Sequence, residues 1–169
     1  ANAQRLWRSA LRVAPVSLLD HFAHSLRETF PARASEWALG AVLFLWSVIL
    51  MINPDLFATG PSYSELARWM DQENWARLCL VFGGGRLIVL AINGAWRRSP
   101  HARAAAAFVA CFFWFQITLG MLGAGTVGTG LAVYPVLFLL DVFNTIRSMG
   151  EAGYSDATYK RVTKDAADS

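Results

Sequence analysis

Arg86 and Asp141 are the residues of this chain that demand most of their surroundings. Each is ionisable and each lies inside an apolar run. A charge facing lipid there would cost a few kcal/mol or more. At 1.5 Å of helical rise per residue, Arg86 lies about 16 Å before Arg97, and Asp141 about 9 Å before Arg147. A long arginine side chain can bridge the difference of about 7 Å. The polar neighbours follow the same faces. Asn93 is seven residues past Arg86, Asn144 three past Asp141, and Tyr134 seven before it. Gln116 comes to about 20 Å beyond Arg103, near the level of Arg86. The spacing therefore predicts one buried polar seam of Arg86, Asn93, Gln116, Tyr134, Asp141 and Asn144. As structure, the seam is an ion pair with interhelical hydrogen bonds that fix helix register. As chemistry, it is a site for an ion, a proton or a small polar ligand. One Arg and one Asp do not make a proton relay, which calls for further acids or histidines along the path.

Other residues offer less. Gly83-Gly84-Gly85 lacks the GxxxxGK[ST] pattern of a phosphate loop and lies within an apolar segment. With Gly94 it reads as a smooth face for close helix approach; local unwinding that exposes carbonyls is the alternative. His21 and His24 stand at i, i+3 without further ligands nearby, so an exposed polar face is expected rather than a metal site. Cys79 and Cys111 fall in apolar runs outside any CxxC spacing and read as buried thiols. Phe112, Phe113, Trp114 and Phe115 are expected against lipid or neighbouring helices. No HExxH, GxSxG or serine–histidine arrangement occurs. A non-enzymatic protein is expected, with no cofactor and no metal.

The elements that must position the seam are membrane spans. Charged residues make up 16% of the chain and apolar ones 55%, with a mean hydropathy of +0.36. From Ala104 to Leu140 there is no Asp, Glu, Lys, Arg or His. A soluble domain cannot clothe such a stretch in polar surface. The expected fold is an all-α membrane protein of four transmembrane helices, at about 37–53, 77–96, 101–122 and 127–146, preceded by N-terminal amphipathic interfacial helices. Span one, capped by Ser35 and ended by Asn53-Pro54-Asp55, is expected at the edge of the bundle. Ser99-Pro100 reads as a cap-then-Pro start for span three.

Residues 1–35 carry arginines among apolar residues without the core of a cleavable signal peptide. Leu18, Phe22 and Leu26 recur at helical spacing, and Pro31 is expected to end that helix. The arm would lie on the bilayer surface or dock on a partner. Ser62-Tyr63-Ser64-Glu65 reads as a capping box for a short outer helix. Its Leu66 and Trp69 would rest on the membrane surface or on the bundle. Residues 36–147 form the transmembrane domain, and 148–169 a polar cytoplasmic tail.

Orientation follows from the cations. With both termini cytoplasmic, twelve Lys and Arg lie inside, Arg103 among them, and only Arg68 and Arg77 lie outside. This is the positive-inside pattern. Trp37, Trp75 and Trp96 fall near span ends, as in an interfacial aromatic belt. The net charge of +3 is scattered along the chain, so topology accounts for it better than nucleic acid does.

Three runs carry a resemblance: Ile92-Asn93-Gly94-Ala95-Trp96 with Arg97-Arg98-Ser99-Pro100, then 111–117 (CFFWFQI), then 129–135 (TGLAVYP). They resemble small polytopic membrane proteins encoded in tailed-bacteriophage genomes, over roughly 37–147. The resemblance implies a protein of the bacterial inner membrane or one associated with a virion. It brings no activity and no site residues. The expected partners are the lipid bilayer and other membrane subunits or further copies of the chain, in a larger membrane or phage-related assembly. A holin-like permeabilising protein is the alternative, and a small transporter or ligand-binding bundle using Arg86 and Asp141 a second.

Overall fold

The computed structural model describes residues 18–95, 99–125 and 127–167, leaving aside the side chains of 18–29, 31, 32, 94 and 95. Its regular elements are all helical: α1 (Leu18–Ile52), α2 (Leu56–Thr59), a 3-10 turn (Pro61–Tyr63), α3 (Ser64–Trp69), α4 (Gln72–Ala95), α5 (Pro100–Gly123) and α6 (Gly130–Ala167). Four segments are long and apolar enough to cross a membrane: Arg33–Ile52, Gln72–Asn93, Pro100–Gly123 and the helix Gly130–Ala167.

Local chemistry sets several boundaries. Ser99 caps α5, its hydroxyl accepting from Ala102 N at 3.4 Å, with Pro100 in the first turn. At the end of α1, Gln72 reaches back from α4. Its amide donates to Leu50 O at 2.8 Å, and its Oε1 accepts from Phe57 N at 2.8 Å. One side chain thus satisfies a carbonyl that the helix end leaves open. Gly125, at φ +66°, supplies the left-handed turn that follows α5.

Several expectations are corrected. Helix α1 runs on through position 31 instead of ending there. Proline removes one helical hydrogen bond, and tertiary bonds made by Arg33, Ser35 and Glu36 hold the helix just beyond it. Ser35 is accordingly inside the helix and caps nothing. The polar tail continues the last span as helix: α6 runs unbroken to Ala167. Extending a helix already nucleated by packing requires little more, and a His101–Asp156 contact at 3.2 Å ties the extension back to α5. The capping box at Ser62 does not form. The helix starts at Ser64 behind Tyr63, without a side-chain cap, because 61–63 are drawn into the 3-10 turn.

Span one is not at the edge. Helix α1 packs along α4, and α5 along α6. The stripe Leu39, Leu43, Trp46 and Leu50 of α1 enters the core with Trp75, Phe113, Trp114 and Ile117. Trp75 is therefore a core residue and not part of a belt; its Nε1 donates to Leu66 O at 3.2 Å, and its ring meets Trp46 and Phe113 edge-on. Leu66 is buried rather than at the membrane surface, seated over Gly120, where a Cβ would come within 2.6 Å of Leu66 Cγ. Trp69 remains 72% exposed. For Leu18, Phe22, Leu26, His21 and His24 the backbone is helical, and the side chains lie outside the described residues.

The glycine face divides. A Cβ on Gly83 would stand 2.7 Å from Phe44 N, so α1 and α4 touch there backbone to backbone. Gly84 has ordinary contact with the Phe44 ring, Gly85 faces open space, and the surroundings of Gly94 are outside the described residues. Gly83→Ala is therefore expected to push the helices apart and cost about 1–3 kcal/mol, as overpacking does. Gly85→Ala should be neutral or stabilise by about 0.5–1 kcal/mol through helix propensity. Unfolding in mixed micelles checks both, and equal effects would contradict the close contact at Gly83.

Candidate functional site

The first buried layer sits midway along the bundle. Arg86 of α4 and Asp141 of α6 form a two-point ion pair, Nη1 to Oδ2 at 2.8 Å and Nη2 to Oδ1 at 2.6 Å. Both side chains are excluded from solvent. Trp114 of α5 adds a third bond, Nε1 to Asp141 Oδ2 at 3.0 Å. A planar guanidinium presents a fork that matches the carboxylate, so three helices meet at one acid.

The other predicted seam residues scatter around this centre. Tyr134 lies one step away, stacked on Trp114 with centroids 6.1 Å apart, its hydroxyl accepting from Trp46 Nε1 at 3.3 Å. Asn144 is fully buried one turn from Asp141, and its Oδ1 accepts from Ser35 at 2.8 Å. Asn93 is not in the seam. It serves the α4–α5 connection: its Oδ1 accepts from Ser99 N, its Nδ2 donates to Val89 O at 3.1 Å, and its carbonyl accepts from Arg33. Gln116 also leaves the seam, turned toward Glu65, Leu66 and Trp75. Depth alone put both at the right level; azimuth around the helix sent them elsewhere. Trp114, two residues before Gln116, takes the place on α5.

A second layer lies nearer the Ser99 end. Arg103 of α5 is buried and binds two acids. Its Nε donates to Glu36 Oε2 at 3.0 Å, its Nη2 to Glu36 Oε1, and its Nη1 to Glu151 Oε2 at 2.6 Å. Arg147 also reaches Glu151, at 3.4 Å. Glu36 is as buried as Arg103, whereas Glu151 is partly open. By position in the sequence Arg103 is one of the cytoplasmic-side cations, and Glu36 stands unremarked at the start of the first span. The signal was present: Glu36 precedes Leu43 by seven residues and Arg103 precedes Ala110 by seven, on the buried stripes of their helices.

Outside this layer opens a groove of about 630 Å³. Arg33, Ser99, Arg103 and Glu151 form one side, and Tyr154, Thr158, Tyr159 and Val162 of the α6 extension form another. At the opposite end, Tyr63 stacks on Phe57 at 5.3 Å. Burial first, then the neighbouring Tyr134 phenol, hold the Tyr63 hydroxyl above the usual tyrosine range.

Cys79 and Cys111 are buried free thiols. Phe113 and Trp114 point inward, while Phe112 and Phe115 are exposed on the outer face. Among the described residues, no three His, Cys, Asp or Glu side chains come together in a way that could hold a metal ion. No protein-family model, curated protein or solved structure matches the chain.

Proposed function

We propose that this chain is a multi-pass protein of the bacterial inner membrane that works through protein–protein contacts as a non-enzymatic subunit of a larger membrane or phage-related assembly. One observation carries the reading. Helix α6 has 38 residues, roughly 57 Å of helix, against about 30 Å of hydrocarbon. From Gly153 to Ala167 every residue is exposed, and Tyr154, Tyr159 and Val162 all line the groove. An exposed helical extension whose apolar residues line a groove beside the bundle offers an interface. By the positive-inside pattern it stands in the cytoplasm, with both termini. The phage-related part rests on the resemblance in the spans.

The test uses the full chain in its native membrane with a photo-crosslinking residue at position 159. A discrete crosslinked partner is expected, present in stoichiometric amount after purification and lost when 153–169 are deleted. Tyr159→Ala should weaken the association by about 2 kcal/mol, as an aromatic anchor does. No crosslink, together with abrupt loss of membrane potential on expression, would reject this reading in favour of a lysis protein.

A further inference from the structure

Between the two ion-pair layers, two buried polar atoms of α6 have no hydrogen-bond partner among the described residues: Asn144 Nδ2 and Ser148 Oγ. They lie one turn apart on a single face, and both residues are 0% exposed. Ser148 is unlike its neighbours. Thr145, Thr158 and Thr163 each donate to the carbonyl four residues back, at 2.8–3.0 Å. The Ser148 hydroxyl does not. Opposite it, the flanking Arg103–Glu151 and Cys111–Thr145 contacts bring α5 to the level of Ala107, which offers the hydroxyl no polar side chain. Buried polar groups that find no protein partner are the usual hosts of internal water, which takes about three hydrogen bonds.

We infer that Asn144 and Ser148 bound an internal water site that joins the two ion-pair layers into one polar file, filled from the groove at the Ser99 end. The file runs Glu151, Ser148, Asn144, Asp141, about 15 Å along α6. Each step is a single turn or less, short enough for water to bridge. Ser35 and Glu36 face it from α1. Past Asp141 the polar file gives way to the buried hydrophobic core of Trp46, Phe113, Trp114 and Ile117, with Trp114 Nε1 on the acid itself. The file is thus a one-sided dead end. Water enters from the Lys/Arg-rich side only, beside the partly open Glu151, while Glu36 and Arg103 stay locked to each other.

The experiment labels thiols in membrane vesicles of each orientation, using the full chain with Cys79→Ala and Cys111→Ala. A methanethiosulfonate reagent attacks a thiolate that it can itself reach, so labelling reads whether the hydrated path opens to solvent. Ser155→Cys on the exposed extension reports which side is open, and Ser47→Cys, buried and bonded to Phe44 O, is the dry control. Ser148→Cys should label from the same side as Ser155→Cys and not from the other, while Ser47→Cys stays unlabelled. Ser148→Ala in the otherwise unchanged chain supplies a second reading. Loss of a bridging hydroxyl should lower Tm by roughly 2–4 °C, whereas removing a hydroxyl stranded in a dry core should raise it. An unlabelled Ser148→Cys in a folded protein, or a raised Tm for Ser148→Ala, overturns the inference.

Discussion

Asp141→Leu is expected to destabilise the bundle by about 3–5 kcal/mol, the cost of stranding one member of a buried ion pair. The substitution leaves the Arg86 guanidinium in an apolar surround with both carboxylate bonds gone, and it also orphans Trp114 Nε1. Asp141→Asn should cost less, since its carbonyl can still accept from Trp114. Arg86→Leu together with Asp141→Leu removes both charges and should be tolerated better than either single change. Equilibrium unfolding in mixed micelles, run as a double-mutant cycle, reads the coupling. In lipid the unfolded chain also finds polar partners, which places the result toward the lower end of the range. Single variants as stable as the parent would mean that the pair does no structural work. A well-folded double variant that loses the partner crosslink proposed for position 159 would instead mark the pair as functional.

Arg103→Leu is expected to cost a similar amount, and for a more demanding reason. Glu36 is buried on α1, and in this arrangement Arg103 supplies both of its bonds. Glu151, partly open, can turn to Arg147 or to water. The two acids should therefore respond unequally. Glu151→Gln should change stability by about 0–1 kcal/mol, as a half-exposed pair does. Arg103→Lys should fall between, because an ammonium cannot reproduce the three-bond fork that links α1, α5 and α6. Glu36→Leu combined with Arg103→Leu should recover part of the loss. If Arg103→Leu and Glu151→Gln prove equally mild, Glu36 is hydrated and the second layer is not a lock.

These two layers differ in how readily the sequence discloses them. Arg86 and Asp141 interrupt apolar runs, and helical rise brings them to a common depth, so each is conspicuous and their meeting can be computed. Glu36 and Arg103 stand where apolar runs begin. There a charge looks like an ordinary end-of-span residue, and only its register with Leu43 or Ala110 betrays burial. The error over Gln116 and Asn93 has the same origin: rise gives depth, but the direction a residue faces depends on how each helix is rotated against its neighbours.

Local features are legible along the chain alone. Apolar runs specify four helices, Asn53-Pro54 ends the first, Ser99-Pro100 starts the third, and the cation count distinguishes the two ends. Each follows from interactions within a few residues, or from the cost of placing charge in hydrocarbon. Which faces meet is a matter of packing in three dimensions, visible in the folded chain. It set α1 against α4 through Gly83, turned Trp114 rather than Gln116 toward Asp141, gathered Glu36 and Glu151 onto Arg103, and carried α6 on as one helix to Ala167. Those choices rest on side-chain packing and on hydrogen bonds between residues far apart in sequence, such as Ser35 with Asn144. A pattern read along one helix contains its own period, and says nothing of the partner that completes the contact.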